Sequence, residues 1–503
     1  MLAKVRTVSL WGVEVIPVTV EVDIGDGLPR ISLVGLPDRT VRESQDRVIS
    51  AMKHAGLEIP LGRITINLSP TDLAKSGNHF DLPIAVALVL ASGRVPALAV
   101  NEFLFLGELA LDGTLRAVSG VLPAGRWARH KNLRGLVVPL DNAREAEASG
   151  MNVWPVASLD QMLSVLWEGS KPPGPPATAP ESGEPTPGDL ADVRGQRPAK
   201  RALEIAAAGN HNVLFVGPPG SGKTLLAQRL AGILPPLDSD AAVEATCIHS
   251  AAGLLRPGSG LLRFPPIRAP HHTVSSAALV GGGSFPRPGE VSLAHHGVLF
   301  LDEFGEFRRD ALEALRQPLE ERRSVISRAR YSVTFPARFM LVAAMNPCPC
   351  GNHGDAGRHC ACSPVVVERY RRRVSGPLLD RIDLQLEVPR VPVEDLAHGP
   401  RGETSATVAA RVKDARARQV ERQGKTNGEL GIKETERWCR TLPEAARFLE
   451  HALERFGLSA RAYHRLLRVA RTVADLEGHA DIRSGHMAEA VQYRALDRMT
   501  VLD

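Results

Sequence analysis

The chain has 503 residues, 44% of them hydrophobic and 23% charged, enough to bury large cores in two to four domains of a globular protein. A formal charge of +5, from 61 Lys plus Arg against 56 Asp plus Glu, permits a nucleic-acid partner without requiring one. Six cysteines in so long a chain exclude a disulfide framework. The longest strongly apolar run, Leu82 to Ala91, is too short to span a bilayer, and the opening MLAKVRTVSLWG lacks a long apolar stretch, so the reading is a cytoplasmic protein with no membrane partner.

Residues 1–170 combine β-branched alternation, at Val13 to Val22 and Arg63 to Leu68, with helical stretches near Val41 to Ala55 and Leu82 to Ser92. This predicts a mixed α/β domain. Residues 171–188, opening KPPGPPATAP, hold too much Pro, Gly and Ser for a regular element and predict a linker. From 189 to 400, apolar runs ending in Gly-rich or acidic turns (VLFVG, GVLFLDE, FMLVAAMN) alternate with helical patterns, as buried parallel strands do. Residues 401–503, rich in Ala, Leu, Arg and Glu, read as helices.

The run Val213 to Val216 enters GPPGSGKT, which is Gly217, Pro218, Pro219, Gly220, Ser221, Gly222, Lys223 and Thr224, and a helix opens at Leu225. Strand, glycine loop and helix in this order predict a phosphate-binding loop. Its backbone N–H groups would close on phosphate oxygens, Lys223 would meet the β and γ phosphates, and Thr224 would offer a hydroxyl to magnesium. About eighty residues on, Gly297 to Leu301 delivers Asp302 and Glu303 at a strand end. Asp302 would hold the magnesium through water and Glu303 would polarise the attacking water. A third strand, Phe339 to Met345, ends in Asn346, whose amide would orient the same water.

These motifs, with Asp189 to Gln196, AAMNPCPCG, SGPLLDRIDL and LSARAYHRLLRVART in that order, resemble the magnesium-chelatase-like AAA+ ATPases of the ComM/YifB type over nearly the whole chain. The resemblance implies an α/β AAA+ core, a parallel sheet with helices on both faces, followed by a helical lid. It places Val193 and Gln196 near the adenine and makes Asn346 the first sensor. It makes Arg381 an arginine finger reaching a neighbouring subunit, and Arg461 the second sensor on the lid. A helix-end ion pair to Asp380 or Asp383 is the plain alternative for Arg381, and a solvated helix face for Arg461.

The segments ITINLSPTDLAKSGNHFDLPIAVALVLASG and LGELALDGTLRAVSGVLPAG resemble the proteolytic domain of Lon-type proteases, an α+β fold shared with a ribosomal small-subunit protein. The position matching that family's catalytic serine holds His79, and the position matching its lysine holds Leu122. A Ser-Lys mechanism needs both a hydroxyl and a base, so peptidase activity is not expected. Lys75, His79 and Asp81 read as structural hydrogen bonders.

Cys348, Cys350, Cys360 and Cys362 form two C-x-C pairs that would close a structural zinc site, with reduced thiols as the alternative. Ser324 to Phe335 reads as a hairpin whose tip carries Arg328, Arg330 and Tyr331, where arginine would meet DNA phosphate and the ring a base. The insert Arg268 to Gly289 reads as a mobile pore loop, with His271 and His272 in structural use. Arg369, Arg371, Arg372 and Arg373 suit a subunit interface or a DNA track. Together these readings predict an ATP- and magnesium-dependent hexamer acting as a DNA helicase or translocase, with no small-molecule substrate beyond ATP. By the resemblance, its work would be branch migration during integration of incoming DNA. The alternatives are a chelatase-like motor acting on a partner protein, and an assembly or chaperone ATPase. The chelatase motor subunit is not expected to carry the amino-terminal domain.

Overall fold

The structure, a computed structural model, describes residues 2–60, 62–93, 100–168, 171–174, 188–283, 285–328, 331–355, 357–457 and 459–494. It divides into two compact units. Most of the predicted linker, 175–187, lies outside the described residues.

The first unit comprises Met1–Ser182, Ser239–Leu262 and Gly283–Pro288. Its seven-stranded sheet runs Arg30–Val34, Arg63–Ser69, Glu14–Gly25, Leu2–Trp11, Phe103–Phe105, Gly135–Pro139, Val153–Val156. Alternation sets the faces: Ala3 and Val5 are buried while Lys4 and Arg6 are exposed. The apolar run becomes the helix Asp81–Ala91, all eleven residues of which are buried. At its start, Asp81 accepts from Arg47 Nε at 2.7 Å and from the Leu109 amide at 3.1 Å. Burial raises the Asp81 carboxyl above its usual range against the pull of Arg47. His79 is buried with Nε2 2.7 Å from the Val8 carbonyl, and burial holds its pKa down to about 4. Lys75 is buried and donates to the Leu73 carbonyl at 2.7 Å. All three polar groups are held by structural contacts.

Two segments sit where the sequence did not suggest. The reading of 189–400 as one ATPase core includes Ser239–Leu262, yet this segment belongs to the first unit. Its helix Ser239–Ala251 buries Ala241, Ala242, Ala245 and Ile248, and the Gly120 amide bonds the Ser250 carbonyl at 3.1 Å. Small side chains let this helix approach the helix Val121–His130 closely. Gly283–Pro288, within the insert read as a mobile pore loop, also belongs to the first unit, with the Phe285 ring centroid 6.3 Å from that of Trp11.

The second unit comprises Gly183–Asp238, Arg263–Gly282 and Gly289–Asp503. Its five-stranded sheet runs Ile267–Arg268, Val298–Leu301, Met340–Met345, Val213–Val216, Leu384–Glu387, and every neighbouring pair is parallel. The three central strands, Val298–Leu301, Met340–Met345 and Val213–Val216, are buried throughout, while the edge strand Ile267–Arg268 is not. Val213, Phe215, Val298, Phe300 and Val342 join a core with the helix Arg197–Gly209 and the carboxy-terminal helices. Leu214, Leu299, Leu301 and Leu341 join another with Ala311, Leu312, Tyr370 and Leu378. Helices therefore cover both faces, as expected of an α/β core.

The carboxy-terminal helices, Ser405–Gln423, Pro443–Phe456, Ala460–Leu476 and Ser484–Gln492 among them, enclose a charged knot. Arg471, fully buried, donates to the carbonyls of His479 and Ala480 and lies 3.0 Å from Asp475. Asp475 also accepts from Arg422 at 2.6 Å and Asn427 Nδ2 at 2.7 Å. Removing its carboxylate leaves two guanidinium groups without their shared counter-charge. Asp475→Ala is expected to destabilise the second unit by about 3 to 5 kcal/mol, read as a shift in its denaturant midpoint; a shift within 0.5 kcal/mol, about the scatter of surface substitutions, would contradict the role.

Candidate active site

The strand Val213–Val216 emerges at the carboxy-terminal edge of the sheet, and the glycine loop follows at once. Gly222, just before the helix Lys223–Arg229, takes φ +90°, a left-handed conformation that a side chain would strain. The loop thus turns tightly enough to bring Lys223 back over itself. Its Nζ donates to the carbonyls of Gly217 at 2.7 Å and Pro218 at 2.9 Å, and lies 3.4 Å from Asn346 Oδ1. Burial lowers the Lys223 ammonium to about pKa 8, with Asp302 pulling the other way.

Thr224 donates its hydroxyl to Asp302 Oδ2 at 2.6 Å, joining the two groups expected to share magnesium. They suit a hard cation that takes oxygen ligands and keeps its waters. A magnesium ion there would neutralise phosphate charge. Glu303 takes φ +53°, unusual for a side-chain-bearing residue, and its amide bonds Asp302 Oδ1 at 2.8 Å. The Glu303 carboxylate meets His272 Nδ1 at 2.9 Å. His272 had been read as structural; the strand Ile267–Arg268, parallel to Val298–Leu301, carries it to the acidic strand end. Its sequence signal is a Pro-His-His turn after a short strand beside the acidic one. Its neighbour His271 bonds Thr273.

Gln196, at φ +50°, donates Nε2 to the Ser221 carbonyl at 3.1 Å and to the Pro389 carbonyl at 2.6 Å, and Val193 beside it is buried. Gln196 therefore lies against the phosphate loop.

Arg381 and Arg461 lie elsewhere. Asn212 precedes the strand Val213–Val216; its side chain donates to the Arg381 carbonyl at 2.9 Å, and its own carbonyl accepts the Asp383 and Leu384 amides. Arg381 is therefore at the amino-terminal edge of the sheet, a strand length of about 13 Å from the edge carrying the glycine loop. Its guanidinium is held by Glu320 and by the Pro377 carbonyl at 2.6 Å, while its buried Nε has no hydrogen-bond partner. Neither Asp380 nor Asp383 pairs with it; Asp383 takes Arg465 at 2.8 Å. Arg461 lines a cleft of about 570 Å³ at this same edge, with Asn210, Asn212, Glu320, Asp383 and Arg465. Arg381, then Arg461 and Arg465, lower the Glu320 carboxyl. A second sensor closing over its own chain's nucleotide is not what this placement allows. The arginine run 369–373 is partly tied down: Arg373 reaches the Gly305 carbonyl at 3.1 Å and Glu306 at 2.9 Å, and Arg372 pairs with Glu368.

The four cysteine sulfurs Cys348, Cys350, Cys360 and Cys362 lie within 4.8 Å of one another. The Cys348–Cys350, Cys348–Cys360 and Cys350–Cys360 separations are 3.4, 3.7 and 3.6 Å. Four thiolates about 2.3 Å from one zinc ion would stand about 3.8 Å apart. The His353 amide also donates to Cys348 Sγ at 3.3 Å. The hairpin pairs Arg323–Arg328 with Tyr331–Pro336, anchored by buried Val333 and Phe335. At its tip Arg330 lies outside the described residues, as do the side chains of Arg328 and Tyr331.

Comparison with known proteins follows the same division. A family model described as magnesium chelatase, subunit ChlI, matches residues 189–396; its carboxy-terminal counterpart matches 402–494, and one described as subunit ChlI of Mg-chelatase matches 20–142. Competence protein ComM of Haemophilus influenzae is 48% identical over 509 residues, covering 99% of this chain and 98% of that protein. The chain belongs to the magnesium-chelatase-like ComM/YifB family. The uncharacterized protein YifB of Salmonella typhimurium is 46% identical over 99% of this chain and 98% of its own length. Lon protease 2 of Bacillus subtilis is 31% identical over 212 residues, 41% of this chain and 35% of that protein. Family membership supports a chelatase-like AAA+ ATPase using ATP and magnesium. No helix among the described residues is long and apolar enough to cross a membrane.

Two outcomes follow from the ComM/YifB site. Glu303→Gln should retain ATP binding and lose turnover, since an amide cannot polarise water while Lys223 and Asp302 remain; equal loss of binding would refute this division. Lys223 is charged in the free protein below about pH 8, and phosphate favours its charged form. Above that pH binding must take up a proton, so ATP affinity should fall by up to about tenfold per pH unit, checked by titration calorimetry from pH 7 to 9.5. A pH-independent affinity would count against the buried lysine as the phosphate cation.

Proposed function

We propose that the chain is an ATP-driven DNA helicase or translocase working as a hexameric ring in the cytoplasm, and that it promotes branch migration during integration of incoming DNA. One observation carries the ring: Arg381 and Arg461 stand at the sheet edge opposite their own glycine loop. Cations assigned to the transferring phosphoryl but kept from their own nucleotide are supplied to a neighbour's, so Arg381 acts as finger and Arg461 as second sensor across an interface. Glu320 holds Arg381 until a phosphate replaces it. Within the site, Lys223 neutralises phosphate, Thr224 and Asp302 hold magnesium, Glu303 activates water, and Asn346 orients it.

DNA as the moved partner rests on the hairpin carrying Arg328, Arg330 and Tyr331, and on likeness to a protein named for competence. The first unit is read as a Lon-like fold without its dyad: buried His79 and Leu122 offer neither the hydroxyl nor the amine that peptide hydrolysis needs. Cys348, Cys350, Cys360 and Cys362 are assigned a structural zinc, a closed four-sulfur site with no open position for chemistry.

A chelatase-like motor acting on a partner protein remains the second reading, favoured by the three family models. The amino-terminal domain does not argue against it, since a model described as a Mg-chelatase subunit matches 20–142. ATPase turnover with single-stranded, duplex and four-way-junction DNA separates the two: stimulation is expected, and a rate indifferent to all three would favour the partner-protein motor.

Trans action is tested by mixing. Arg381→Ala keeps its own loop and Lys223→Ala keeps its own arginine, so mixed rings contain some complete interfaces. The mixture of two inactive variants is expected to recover part of the wild-type rate, because a supplied arginine is worth about 10³ to 10⁵ in rate. Mixed rings shown to have exchanged subunits yet still inactive would defeat the assignment.

A further inference from the structure

The cysteine cluster begins two residues after Asn346, and the loop it closes returns to the nucleotide site. Cys348, fully buried, starts the loop at the end of the strand Met340–Met345. Gly351, at φ +80°, lies so close to the phosphate loop that a Cβ there would stand 2.5 Å from Pro219 Cδ. A second contact lies a few residues further on. Asp355, nearly buried, pairs with Arg390 at 3.2 Å, and the same guanidinium donates to the Pro219 carbonyl at 3.4 Å. The phosphate loop is therefore contacted at Pro219 both by Gly351 and by Arg390 of the Asp355–Arg390 pair.

A loop of this length has no regular structure of its own; among the described residues from Cys348 to Ser363, none is in a helix or strand. Without a cross-link, ordering it costs backbone conformational entropy at every residue. Four thiolates around one metal ion would supply that order, and the positions of Gly351 and Asp355 follow from it.

We infer that the metal held by Cys348, Cys350, Cys360 and Cys362 acts as a clamp on the phosphate loop, so that nucleotide affinity depends on metal occupancy. This rests on the zinc reading above. Zinc does no chemistry here. Its effect passes through Gly351, Asp355 and Arg390 to Pro219, and so to the loop carbonyls on which Lys223 rests.

The test uses the full chain and a fluorescent ATP analogue. Elemental analysis first counts zinc in protein purified without chelator, where about one ion per chain is expected. A metal-free protein with full nucleotide affinity would refute the zinc reading and the clamp with it. Zinc is then stripped with a thiol-displacing reagent and chelator, and affinity is expected to fall about tenfold, to be restored by zinc after the reagent is reversed but not by magnesium. Protein that loses zinc and keeps its affinity within twofold overturns the clamp while leaving the zinc site intact. Arg390→Ala supplies an independent arm that leaves the four thiols untouched. That variant is expected to retain its zinc yet bind the analogue several-fold more weakly, and wild-type affinity in it overturns the proposed route.

Discussion

All five strands of the ATPase sheet run the same way, so whatever follows a strand gathers at one edge and whatever precedes a strand gathers at the other. The glycine loop, the acidic pair and Asn346 each follow a strand, and their side chains meet: Lys223 with Asn346, Thr224 with Asp302. Arg381 precedes a strand and is stranded at the opposite edge with Arg461. A single polypeptide cannot bend a parallel sheet to bring these two edges together. Strand direction thus separates Arg381 and Arg461 from the glycine loop within one chain.

The resting state of the two sets of groups differs accordingly. Lys223 and Thr224 are engaged by neutral carbonyls and by Asp302, partners that a magnesium nucleotide exchanges at modest cost. Arg381 is engaged by Glu320, with its Nε left without a partner. A buried guanidinium with an unsatisfied donor keeps capacity for a further acceptor. At the other edge the His272 imidazole pairs with the Glu303 carboxylate at 2.9 Å.

The nucleotide site was legible in the sequence because its groups sit at strand ends and the strands announce themselves as apolar runs. The two C-x-C pairs are visible in the sequence as a spacing, and in the structure their sulfurs lie within 4.8 Å of one another. What could not be read were pairings across distant sequence. Nothing local indicates that His272 meets Glu303, that Glu320 holds Arg381, or that Arg461 lies on the far side of its own sheet. Nor does anything local indicate that the helix Ser239–Ala251 packs within the first unit: its alanines suit any close-packed partner, and the one it takes involves Gly120 and Glu145, more than ninety residues away.

That excursion of the chain bears on how such a protein can change over evolutionary time. Ser239–Leu262 and Gly283–Pro288 are coded inside the motor yet complete the other unit. A gene fragment starting after the proline-rich stretch would carry a helix with four buried apolar side chains and no host for them. Conversely, the amino-terminal segment alone would lack the Ser250 hydroxyl that bonds Glu145. The two units are therefore not interchangeable cassettes. Shuffling either onto another architecture would require transplanting interleaved pieces, which favours inheritance of the chain as a whole.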